Sequence, residues 1–109
     1  MPRALDELGR WSEPSLLVLS SLAGGDKHGY AMVSDIKEMA SVHLGPGTLY
    51  GALSRLEEQG LIEALPPEGR RRPYRITAAG ASALREQLTR MESVASTGLT
   101  RLRAEGTPA

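Results

Sequence analysis

The sequence predicts a mainly α fold with a small antiparallel β-sheet: a winged helix-turn-helix followed by a long C-terminal dimerisation helix. Three stretches predict it. Residues 46–60 read as a helix with a marked start and stop, residues 61–77 as a hairpin with an arginine-rich tip, and residues 78–103 as one long helix with a heptad-like apolar seam. At 109 residues the chain is one domain with an appended element. The expected division is a leading arm or short helix over 1–11, the winged domain over 12–77, the dimerisation helix over 78–105 and a tail over 106–109.

The elements follow in chain order. Leu5, Leu8 and Trp11 keep a helical spacing, which suits a short leading helix or an arm. Ser12 is placed to cap a first core helix, with Glu13 and Pro14 in its first turn. Leu16, Leu17, Leu19, Leu22 and Ala23 form its inward face, and Gly24-Gly25 stops it. A second helix is expected over Gly29–Ala40, with Tyr30, Val33, Ile36, Met39 and Ala40 inward and Ser34, Lys37 and Glu38 in solvent. Val42-His43-Leu44 reads as a short extended piece that pairs with the hairpin strands.

The third helix carries the strongest signals. Pro46 suits a first helical turn because its φ is fixed and its missing N–H is not needed there. Gly60 stands where a helix-closing residue adopts positive φ. Leu49, Leu53 and Leu56 form one buried stripe, and the opposite face carries Gly47, Gly51, Ser54, Arg55 and Glu58. A glycine costs a helix about 1 kcal/mol relative to alanine, so two on one exposed face suit a backbone that must approach something bulky, such as a DNA groove. Leu61–Leu65 and Tyr74–Thr77 then alternate apolar and polar residues as half-buried strands do, around turn chemistry at Pro66, Pro67 and Gly69. Arg70, Arg71, Arg72 and Arg75 crowd this hairpin. A helix for the major groove beside a basic wing for the phosphates is the winged-helix layout.

Thr77 is the expected cap of the last helix. Leu84, Leu88, Met91 and Ala95 alternate spacings of four and three, and Leu99 and Leu102 extend the seam after an interruption at Gly98. At ~1.5 Å per residue the helix spans roughly 40 Å, longer than a winged-helix core of this size covers. A second copy of the chain is the simplest surface for its stripe.

His28-Gly29-Tyr30, Gly45-Pro46-Gly47-Thr48-Leu49-Tyr50, Leu53, Arg55-Leu56-Glu57, Gly60-Leu61-Ile62, Gly69-Arg70, Tyr74-Arg75-Ile76-Thr77 and Gly80 together resemble the PadR family of bacterial transcriptional regulators, over roughly residues 12–88. Gly51 stands where that family often has a second proline, which leaves the start of the recognition helix less rigid. The resemblance implies the branch with a single C-terminal helix, a homodimer, and effectors such as phenolic acids or drug-like molecules.

Composition bounds the rest. There is no Phe, one Trp and no Cys, so the core is aliphatic and disulfides and thiolate metal sites are excluded. Two histidines without cysteine make a poor metal site, and no cofactor is expected. No serine stands in a nucleophile elbow or beside a His with a supporting acid, so no enzyme is expected. Without a membrane-length apolar run or a signal-peptide pattern, the expectation is a soluble cytoplasmic protein. Net charge is zero, yet residues 66–76 carry net +3 and residues 31–65 net −3. Basicity is therefore local to the wing, which implies salt-sensitive DNA affinity.

Gly47, Thr48, Tyr50, Ser54 and Arg55 of the helix and Arg70, Arg71 and Arg72 of the wing are the expected DNA contacts. Two readings of Tyr50 stand side by side: a DNA contact, or a ring packed on the second helix. Arg55 alternatively pairs with Glu57 or Glu58, and Arg75 with Glu63 across the hairpin. His28 reads as part of the turn, its ring bonded to nearby backbone. Trp11 either caps the dimer core or, with Met91, lines an effector pocket between protomers. The expected function is a dimeric, sequence-specific DNA-binding transcriptional regulator that reads a two-fold symmetric operator and is a repressor released by a small molecule. The alternative is a protein-interaction module on a winged-helix scaffold, suggested by the acidic Glu57, Glu58 and Glu63.

Overall fold

The computed structural model describes residues 13–104; the expected arm over 1–11, Trp11, the Ser12 cap and the tail over 106–109 lie outside them. In order come α1 (Glu13–Ala23), β1 (Lys27–His28), α2 (Gly29–Ala40), α3 (Pro46–Glu58), β2 (Ile62–Ala64), β3 (Pro73–Ile76) and α4 (Ala78–Ala104). The three strands form an antiparallel sheet in the order β1-β3-β2.

α1 is the central helix of the core. Val18, Leu19 and Leu22 are buried against α2, α3 and α4, whereas Ala23 is exposed and Leu16 and Leu17 are only half-buried. Ser21 is buried because its Oγ donates to the Asp35 carboxylate of α2 at 2.7 Å. The α1 terminus is closed by Lys27, whose Nζ donates to the carbonyls of Ser21 and Gly25 at 2.5 and 3.3 Å.

α2 has the expected bounds but a different inward face. Met32 and Ile36 are buried and Val33 half-buried, while Tyr30 is 76% and Met39 46% exposed. Apolar residues occupy more than one stripe of this helix, and contact with α1 and α3 selects the stripe through Met32 and Ile36. The extended piece Val42-His43-Leu44 is not a strand; Leu44 instead plugs the core. The third strand is Lys27–His28, pairing Lys27 with Tyr74 and His28 with Pro73. These two polar residues carry no β pattern of their own, and β3 recruits them as an edge.

α3 buries Leu49, Ala52, Leu53 and Leu56 and ends where Gly60 takes φ +75°. β2 and β3 pair Ile62 with Ile76, Glu63 with Arg75 and Ala64 with Tyr74. Pro73 opens β3 as its first residue, where a missing donor is tolerated.

The joint between the winged domain and α4 is built from backbone. Thr77 caps α4, its Oγ1 accepting from Gly80 N–H at 3.0 Å. The same hydroxyl donates to the Gly60 carbonyl at 2.8 Å, and Thr77 N–H donates to the Leu61 carbonyl at 3.1 Å. Gly80 is buried flat against that carbonyl, and a Cβ there would overlap Leu61 O and crowd Ile76 Cγ1 at 2.9 Å. Leu84, expected in the dimer seam, is 5% exposed and belongs to the protomer's own core. α4 then leaves the body and runs as one helix through Gly98, as its expected length requires. Leu88, Met91, Val94, Leu99 and Leu102 are each at least 40% exposed along it. Gly80→Ala should cost about 3 kcal/mol, because the obstacle is backbone and cannot swing aside. Thermal denaturation of the variant beside Gly98→Ala, whose added methyl meets open space, checks this.

Candidate nucleic-acid interface

The exposed face of α3 is that of the expected contacts: Gly47, Thr48, Tyr50, Ser54 and Arg55 are all exposed. Gly45 closes the N-terminus without a side-chain cap, so the first N–H groups of α3 point outward unpaired by any cap. A Cβ at Gly47 would meet open space and one at Gly51 only the Arg55 guanidinium at 3.6 Å; neither glycine is demanded by the protomer's own packing.

The wing tip is a tight turn. Glu68 and Arg71 exchange both backbone hydrogen bonds, at 2.7 and 3.0 Å, around Gly69-Arg70. Gly69 has φ +63° and Arg70 has no positive φ, the sign pattern of a II′ turn, in which glycine is favoured at the first central position. The guanidinium groups meet different neighbours. Arg75 lies between Asp26 (3.7 Å) and Glu63 (3.5 Å), so its expected pairing with Glu63 is present and a second carboxylate joins it. Arg72 Nη1 donates to the Leu65 carbonyl at 2.9 Å, bracing the two sides of the wing. Arg71 Nη1 lies 3.2 Å from His28 Nε2. Among the described residues, Arg55, Arg70, Arg71 and Arg72 form no ion pair with a carboxylate.

Helix and wing meet at one dipeptide. The Tyr50 hydroxyl lies over Gly29, where an added methyl would sit 2.9 Å from it. His28, the preceding residue, holds Arg71 on its other side. Tyr50 rests on the start of α2 through its hydroxyl end yet remains 54% exposed. Beneath them Tyr74 is half-buried. Burial raises its phenol pKa above 10.0, nearby Glu57 and Tyr50 raise it further, and the Arg72 charge opposes them. The side chains of α3, β3 and the wing therefore share one electrostatic environment. His28 also points Nδ1 at Ala31 N–H, 3.4 Å away, as a turn residue bonded to backbone.

The profile of the transcriptional regulator PadR-like family matches residues 18–86. The chain belongs to this family. The family is one of transcriptional regulators, and the described fold is a winged helix-turn-helix. This PadR-like chain is 37% identical over 83 residues to the transcriptional regulator Rv3488 of Mycobacterium tuberculosis, covering 73% of the chain and 77% of that protein. It is 44% identical over 78 residues to a protein of transposon TN4556 of Streptomyces fradiae, covering 72% of the chain but only 23% of that longer relative. A PadR family regulator from Clostridium difficile has the same fold, with a TM-score of 0.75 at 24% identity over 84% of the chain and 99% of that structure. No described helix is long and apolar enough to cross a membrane.

Sequence reasoning missed the polar strand β1, the Arg71–His28 contact and Tyr74 as a junction residue. The only signals were the aromatic at 74 in a chain with three tyrosines and the position of His28 before Gly29. In a spectrophotometric titration of the folded protein, one tyrosine should ionise above 10.0 and that step should vanish in Tyr74→Phe. Since the folded value is raised, the stability Tyr74 contributes is fully present below pH 10 and is lost as pH rises through the folded value.

Proposed function

We propose that this PadR-like regulator is a homodimer that reads a two-fold symmetric operator and acts as a repressor released by a small-molecule effector. The observation that carries it is the convergence of the exposed α3 face and the arginine wing on His28-Gly29. In this reading Thr48, Tyr50, Ser54 and Arg55 address the groove, with the free N–H groups at Gly47 and Thr48 toward a phosphate. Arg70, Arg71 and Arg72 hold flanking phosphates and set the register.

The seam through Leu88, Met91, Ala95, Leu99 and Leu102 supports the dimer. Among the described residues nothing of its own protomer covers this apolar stripe, whereas Leu84 anchors the helix root. A groove of about 440 Å³ between Leu84, Leu88, Ile76 and Ala23 opens beside that root, with Leu88 and Glu92 but not Met91 in its lining. Trp11 and Met91 remain proposed for an effector site between protomers. A ligand there biases the spacing of the two α3 helices.

Replacing Arg70, Arg71 and Arg72 together by Ala should weaken binding to every DNA sequence and lower the salt slope by about 3. Fluorescence anisotropy over a salt series, with fragments selected from the source genome, measures it; absence of DNA binding even at low salt would favour the interaction-module alternative. Leu88→Asp should give monomers by light scattering, and a persistent dimer would overturn the seam.

A further inference from the structure

We infer that His28 is a positioning residue for DNA recognition: its imidazole holds the wing residue Arg71 beside the recognition helix without cancelling the guanidinium charge. The inference rests on the DNA-binding reading above and adds to it a residue that touches no DNA itself.

The geometry is specific. Arg71 Nη1 is 3.2 Å from Nε2, and His28 is held through its backbone, as the last residue of β1 and the residue immediately before α2. Asp26, Lys27, Glu68 and Arg75 line the same groove as His28. Two carboxylates are therefore at hand, yet Asp26 is engaged by Arg75 and among the described residues Arg71 pairs with neither. A carboxylate partner would neutralise Arg71 and compete with a phosphate for it. A neutral imidazole accepts one N–H and leaves the full charge and the remaining donors of the fork available. A side chain already held in place loses less freedom when a phosphate arrives.

The arrangement also dictates a tautomer. A neutral ring has one acceptor nitrogen, but His28 faces two donors: Ala31 N–H at Nδ1, 3.4 Å away, and Arg71 at Nε2, 3.2 Å away. The contact that is shorter and has a cationic donor prevails, so Nε2 accepts, Nδ1 carries the proton, and the 3.4 Å approach of Ala31 N–H is not a hydrogen bond in that tautomer. Removing Arg71 returns the acceptor to Nδ1, where it caps α2.

Two measurements test this. In the DNA-free protein, ¹⁵N NMR of the His28 ring should show an unprotonated Nε2, and Arg71→Ala should shift the ring toward the Nε2–H tautomer with no loss of thermal stability. A wild-type ring already in the Nε2–H form would overturn the proposal. In DNA binding, Arg71→Ala should cost about tenfold in the wild-type background and about twofold beside His28→Asn, which supplies a good helix cap. Equal costs in both backgrounds would sink the positioning role. A protein that binds no DNA at any salt would refute the proposed function instead, and the ring measurement would still decide whether His28 holds Arg71.

Discussion

The carbonyls of Gly60 and Leu61 are the point on which the architecture turns. They end the recognition helix and begin the wing, and Thr77 and Gly80 of the last helix are fastened directly to them. A threonine that accepts from its own helix and donates to its neighbour satisfies two backbone groups with one hydroxyl. The absent side chain at Gly80 lets the two segments touch. α3 and α4 therefore share a rigid backbone hinge rather than a layer of side chains. Leu84, one turn further on, sinks into the core and completes the attachment.

Such a joint fastens the start of α4 to the end of α3 through backbone contacts. From Leu88 the helix is exposed through Ala104, and its apolar stripe runs away from the core that anchors it. The wing is tied into the same frame by a different means: β3 is the middle strand and carries the arginines on its approach. Their fates divide. Arg75 lies between two carboxylates, Arg72 braces the hairpin on Leu65, and Arg71 rests on the His28 ring. A cluster that looks uniform in sequence thus separates into structural and available charge.

Much of this was legible beforehand because local signals agreed with the fold. Pro46 and Gly60 bracket α3, Gly69 supplies the positive φ of the tip, and Thr77 caps α4. Each is a residue whose backbone or hydroxyl permits little else. The reading faltered where several local answers were equivalent. Tyr30 and Met39 are as apolar as Met32, and only the neighbouring helices choose between the stripes. The pair Lys27–His28 has no strand propensity, and the more apolar Val42-His43-Leu44 was the natural candidate. Leu84 continues the heptad spacing perfectly, and spacing alone cannot tell a core leucine from a seam leucine.

The sequence by itself determined the order of helices and hairpin, the turn residues between them and the concentration of charge in the wing, because these depend on short-range sterics and composition. Tertiary structure alone decided which apolar stripe is buried, which strand completes the sheet and what each arginine touches. Those outcomes depend on contacts between residues such as His28 and Arg71, forty-three positions apart, and no local pattern encodes them.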